Sequence, residues 1–183
     1  MRPASSASWR SLLHRRGVLL SRALPALFLA VALAGCDFDS TARKVLFGLN
    51  EVQDGAFLAL KDARAQTVAA GKACGELARA QTPPVAPSLE ACKALGVPIP
   101  FDPVRVNEAI GISNAAYEAI RAANEIRLGV KSGTGSQGDV IAAIGHAFVA
   151  VTRLGNAAKD VGVPFDDTEL KKLTDYWNGR TGP

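Results

Sequence analysis

The sequence predicts an all-α fold, a mostly antiparallel, four-helix-like bundle with a short extra helix at its C-terminal end. Three observations carry this. Apolar residues recur at three- and four-residue intervals over long stretches, which places them on one face of a helix. Breaks rich in Pro and Gly divide those stretches. Alanine is abundant, aromatic residues make up only 6%, and long alternating runs of β-branched residues are absent, so small side chains pack helix against helix.

The first bundle helix is predicted over Thr41 to Ala80. Val45, Leu49, Val52, Ala56, Ala59, Ala63, Ala70, Ala73 and Leu77 form its stripe, and Phe47, Phe57, Leu58 and Leu60 widen it. Arg43, Lys61, Asp62, Arg64, Lys72, Glu76 and Arg79 supply the polar side. Gly48, Gly55, Gly71 and Gly75 each cost up to about 1 kcal/mol against Ala, and mark either close helix crossings or a break. Thr82-Pro83-Pro84-Val85-Ala86-Pro87 stops the helix, because proline lacks the amide hydrogen and disfavours helix in the residue before it. Ser88 suits the N-cap of a short helix ending at Leu95. After Gly96-Val97-Pro98, Asp102 suits an N-cap with Pro103 at the first helical position.

The next helix is predicted to reach Leu128. It carries one seam of Val106, Ile110, Ser113, Tyr117, Ile120 and Asn124, and beside it a second of Ala109, Ile112, Ala116, Ala119, Ala123 and Ile126. Gly133-Thr134-Gly135-Ser136 reads as a turn, since a phosphate loop needs Lys after its last Gly and a strand before it. A fourth helix follows over Gln137 to Val161, with Val140, Ile144, Ala147, Val151, Leu154, Ala158 and Val161 inward. Gly162-Val163-Pro164…Asp166 echoes Gly96-Val97-Pro98…Asp102, through repeated use of one stop-and-cap chemistry or a weak internal duplication. Asp166 and Glu169 have capping-box spacing. A last helix with Leu170, Leu173 and Trp177 frays from Asn178, leaving 179–183 as a disordered tail.

The N-terminal stretch has a different character. Arg10, Arg15, Arg16 and Arg22 precede an apolar run from Ala23 to Ala34, which ends in Leu33-Ala34-Gly35-Cys36. The run is shorter than the roughly 20 residues a membrane span needs, and Pro25 interrupts it. This stretch resembles the signal peptide and lipobox of bacterial lipoproteins: Leu, a small residue, Gly or Ala, then Cys. The resemblance covers residues 1–36 only. It implies removal of 1–35, diacylglycerol on the Cys36 thiol, and a lipid-anchored leader over 36–40 ahead of a bundle domain over 41–178. Two or three acyl chains, at about 0.8 kcal/mol per buried CH₂, anchor stably where one does not. An extended leader of that length reaches about 15 Å. The address implied is the cell envelope, facing the periplasm, with inner or outer membrane open. Asp37 after the lipidated cysteine argues weakly for the inner membrane. His14-Arg15-Arg16-Gly17-Val18-Leu19 fits either an ordinary basic n-region or a weak twin-arginine signal.

Removing the leader changes the charge reading. Residues 1–35 hold five arginines and no acid, so 21 basic residues fall to 16 against 17 acidic ones. The mature chain is near neutral and offers no clustered basic surface for nucleic acid. Cys74 and Cys92 remain after Cys36. In an oxidising compartment an even pair reads as a disulfide, and that cross-link staples the bundle at the Pro-rich turn.

No catalytic or metal constellation is signalled, and no cofactor is expected. His146 is the only histidine beyond the leader and sits on or beside a packed face. Asp166, Asp167 and Glu169 fit helix capping better than a cation site. Glu118 and Glu125 share one solvated face, and Tyr176-Trp177 suits packing of the last helix before it suits a partner anchor. The expected function is that of a non-enzymatic structural or interaction lipoprotein of the envelope, of adaptor or exclusion type. It is held to the membrane through acyl chains on Cys36 and engages another envelope protein. The alternative is a module binding a small apolar or lipidic ligand within the bundle.

Overall fold

The computed structural model describes the backbone of residues 10–181 and side chains from residue 37 onward. The chain divides into two compact units, Met1–Ser40 and Thr41–Pro183. Five helices are described: α1 (Arg10–Ala80), α2 (Leu89–Ala94), α3 (Pro103–Lys131), α4 (Gln137–Asp160) and α5 (Thr168–Thr181). No strand occurs among the described residues. The bundle is the second unit, and the first is helical from Arg10 to Ser40. The leader at 37–40 is therefore helical, where an extended tether was expected.

The course is antiparallel. Gln53 of α1 meets Ser113 of α3, and Cys74 of α1 is bonded to Cys92 of α2. Moving forward along α1 from Gln53 to Cys74 thus matches an equal step back on the returning chain. Five residues join α3 to α4, so that pair is antiparallel as well. Leu173 of α5 lies over Gly48, while α2 is fixed at Cys74. At 1.5 Å per residue those two points on α1 are about 39 Å apart. The two short helices therefore pack at opposite ends of this stretch of α1.

The core is a set of interlocking seams with alternating three- and four-residue steps. In α1 the buried line is Ala42, Leu46, Leu49, Gln53, Ala56, Leu60, Ala63, Thr67 and Cys74. Val45, Leu49, Ala56 and Ala63 of the predicted stripe are buried, as is Leu60 of the residues predicted to widen it, but Gln53 and Cys74 are buried where Val52 and Ala73 were expected. Ala73 and Leu77 face solvent. In α3 the two predicted seams collapse to the line between them: Val106, Ala109, Ser113, Ala116, Ile120, Ala123 and Arg127. Tyr117 and Ile126 lie outside it, exposed. In α4 the predicted seam is buried from Val140 to Ala158, and Val161 is the C-cap. Among the described residues α4 is the one helix long and apolar enough to cross a membrane. Its apolar face is instead spent on the bundle.

Thr41, Gln53 and Thr67 are polar side chains buried on α1. Thr67 Oγ1 donates to the Ala63 carbonyl at 2.8 Å, and Gln53 Nε2 donates to Ser113 Oγ at 3.0 Å. Gln53 Oε1 has no partner. A buried, half-satisfied amide is worth less than it appears, because its free acceptor carries a desolvation cost.

Three helices stop by the same device. Gly96, Gly133 and Gly162 take φ of 76°, 82° and 82°. The residue after each donates to a carbonyl five residues back: Val97 to Cys92, Thr134 to Gly129 and Val163 to Ala158, each at 2.9 Å. This is the Schellman arrangement, which glycine adopts without a Cβ clash. Gly133, followed by Thr134 and Gly135, stops its helix the same way outside the Gly-Val-Pro echo, so this stop chemistry does not depend on the echo. Val163 is buried behind its cap. Gly162→Ala is expected to cost about 1–2 kcal/mol, the left-handed penalty for an L-residue, read as a lower midpoint with unchanged slope in urea unfolding.

The starts are capped as well. Ser88 Oγ accepts from Ala91 N, and Asp102 accepts from Val104 N with Pro103 at the first turn. The capping box is at Ser136 and Asp139, each side chain bonded to the other's backbone amide. At α5, Asp166 accepts from Thr168 N, but Glu169 turns to Lys172 at 2.6 Å instead of reaching back. α5 then continues to Thr181 without fraying at Asn178. Trp177 is buried, and Thr181 Oγ1 donates to its carbonyl. Residues 182–183 lie outside the described residues.

Candidate functional site

Two close approaches build a groove along the first half of the bundle part of α1. A Cβ added at Gly155 of α4 would lie 2.5 Å from the Phe165 ring, and one added at Gly48 would lie 2.6 Å from Leu173. A side chain at either glycine would force Leu173 or the Phe165 ring to shift. Gly48 thus marks a helix crossing, one of the two meanings its position allowed. Gly55, on the same side of α1, meets nothing within 4 Å and leaves the floor open.

The result is an open groove of about 500 Å³. Val52, Gly55 and Ala56 form its floor, and Phe165 and Leu173 form its wall. Phe47 stands at the rim, 65% exposed. On the other side of Phe165 lies a second hollow of about 370 Å³, bordered by Gly155, Lys159 and Asp167. A shallower hollow of about 750 Å³ lies along the α4–α5 turn at Gly162, Val163 and Pro164.

The rim charges divide into two kinds. Asp167 is engaged by Lys159 at 3.3 Å and Lys171 at 3.4 Å, and Glu169 by Lys172. Asp166 spends its carboxylate on the start of α5. Lys44 and Glu51, by contrast, make no ion pair within the described residues and border the apolar floor directly.

Several carboxyls are held below their ordinary range. Asp139 is lowered by its hydrogen bonds with Ser136, Asp166 by those with Thr168, and Asp167 first by Lys159. Lys172 is raised by Glu169. A carboxyl with a depressed folded-state pKa favours the fold above its unfolded pKa, and that contribution is lost as pH falls through the folded value. For these three groups the loss lies at and below their ordinary value of 3.8. Acid titration of the melting temperature is expected to be flat from neutrality to about pH 5 and to fall below that. Asp139→Asn is expected to shallow that fall.

The remaining candidates do not converge. His146 is exposed on the outer side of α4. No group of three or more His, Cys, Asp or Glu side chains that could hold a metal occurs among the described residues. Asp166, Asp167 and Glu169 are capped or paired. Glu118 and Glu125 flank Arg121, at 3.6 and 3.3 Å. Cys74 and Cys92 are joined, with both sulfur-bearing residues buried. The Cys36 side chain and the residues before it lie outside the described side chains.

Sequence reading missed the groove because its walls come from distant positions. Only Gly48 signalled it, and a lone helical glycine does not say what lies above it. No family model matches the chain, and no curated protein or solved structure matches it either.

Proposed function

We infer that this chain is a lipid-anchored protein of the bacterial envelope, acylated at Cys36, that works by binding another protein and not by catalysis. The observation that carries the address is Leu33-Ala34-Gly35-Cys36 behind a basic, then apolar, segment. The reading of its work draws on the groove, with its apolar floor and the uncommitted Lys44 and Glu51 on its rim. A surface of this kind suits a polypeptide that brings both apolar and charged side chains. A small apolar ligand, the second reading, is favoured only by the groove's volume.

Growth with an alkyne-bearing palmitate tests the address. The full chain should take up label, and Cys36→Ala should not; labelling that survives in the variant would refute the assignment. Gly55→Leu tests the groove. Its side chain enters open space and raises helix propensity by up to about 1 kcal/mol, so thermal stability should hold or rise. Loss of partner binding without loss of stability supports the groove, and retained binding contradicts it.

A further inference from the structure

α4 buries one side and leaves the other unpartnered. Inward lie Val140, Ile144, Ala147, Val151 and Leu154, all completely buried. Outward lie Gly138, Ala142, Gly145 and Val149, on alternating four- and three-residue steps, and each is exposed. Val149 is 52% exposed, and a Cβ added at Gly145 would meet nothing within 4 Å. Small residues along such a line let a second helix come close.

Along one edge of this face run Asp139, His146 and Arg153, all exposed. Residues seven apart share a helix edge, so the three stand in a row with about 10 Å between neighbours. Charge runs along the row from a carboxylate, through an imidazole, to a guanidinium. Local needs account for the first member only. Asp139 belongs to the capping box, but both its bonds with Ser136 use Oδ2, which leaves Oδ1 to accept from elsewhere. Arg153 stands about two turns before the end of α4, whose last turn already has Lys159. It makes no ion pair among the described residues.

The row matches its own reverse. Two copies of α4, packed antiparallel about a two-fold axis at His146, bring the same edge of each helix together. Asp139 then meets Arg153 of the partner subunit at both ends of the contact. A parallel copy would set carboxylate against carboxylate and guanidinium against guanidinium, and a uniformly acidic or basic surface would oppose one end of the row.

We propose that the outer face of α4 is a self-association surface, on which a second copy of this chain docks antiparallel about His146. The exposed ion pairs set register more than affinity. A single helix-on-helix contact also falls short of the roughly 800 Å² per partner of a standard interface. The pairing is therefore weak in free solution and forms where copies are concentrated. For that concentration it rests on the lipid anchor inferred above. The face shares no residue with the α1–α5 groove, which stays open to another protein.

The test places a cysteine at the axis, His146→Cys, in the full chain in its host. Glu118→Cys, on the outer side of α3, is the control at a residue of 59% side-chain exposure. Mild oxidation of the membranes should join two copies through position 146, at a yield well above the control. Arg153→Glu in the same background opposes a second carboxylate to Asp139 of the partner subunit and should lower the yield about tenfold. Gly145→Leu, which holds the helices apart, should lower it as far. Both variants alter exposed positions, and an unchanged melting temperature certifies each; if one shifts it, the other decides. No bond above the control, a bond from position 146 to a different protein, or a yield indifferent to a certified variant would overturn the proposal. Palmitate labelling read on the same samples separates the two claims. Label without the bond refutes the α4 surface and leaves the anchor standing, whereas the bond without label supports the surface and refutes the anchor.

Discussion

Ile144→Ala is expected to destabilise the bundle by about 3–4 kcal/mol. Ile144 is completely buried in the α4 seam, between Val140 and Ala147. Truncation removes three carbons from a site whose neighbours are fixed on helices and collapse only partly into the void. The cost therefore combines lost transfer energy with a cavity term. For a domain of this size that corresponds to a melting temperature lower by about 10 °C. Val149→Ala is the control. Val149 is on the same helix but 52% exposed, so its effect should stay within about 0.5 kcal/mol. Equal effects of the two substitutions in urea unfolding would mean that α4 faces the core differently.

Removing the cross-link with Cys74→Ala/Cys92→Ala is expected to cost about 3 kcal/mol in the chain-entropy account of a loop of this length. The sequence separation is 18 residues. The loss has a definite place. α2 has six residues, and Cys92 is its only buried one. A helix that short does not hold without tertiary support. Amide exchange should accelerate from Gln81 to Pro100 while α3 and α4 stay protected. Both cysteines are nearly inaccessible, so reductant alone should act slowly on the native protein and quickly once denaturant is added. A melting temperature unchanged in the double variant would show that the cross-link constrains nothing.

Fold class and most helix ends could be read from sequence because they are local. Ser88, Asp102-Pro103 and the glycines after each helix act on backbone groups a few residues away. The apolar pattern of α1 passes over Gln53 and Thr67 because both are polar. Apolar periodicity skips such residues, but Thr67 satisfies its hydroxyl on its own helix and Gln53 finds Ser113 across the bundle. α3 resisted for the opposite reason. Apolar residues on two sides gave two plausible seams, and only the partner helices select the line between them. The capping box was placed at Asp166–Glu169, but Lys172 competes there for Glu169, while Ser136 and Asp139 have no such rival. The groove could not be read at all, because Leu173 meets Gly48 only after the whole bundle has closed.

The proposal that the chain is tethered by lipid and acts by contact depends first on the chemistry at one thiol. The measurement that reaches it most directly is the intact mass and N-terminal peptide of the protein isolated from host membranes. A chain beginning at Cys36, with a diacylglyceryl group on sulfur, is the predicted result. A chain that still carries residues ahead of Cys36, with that thiol unmodified, would contradict it.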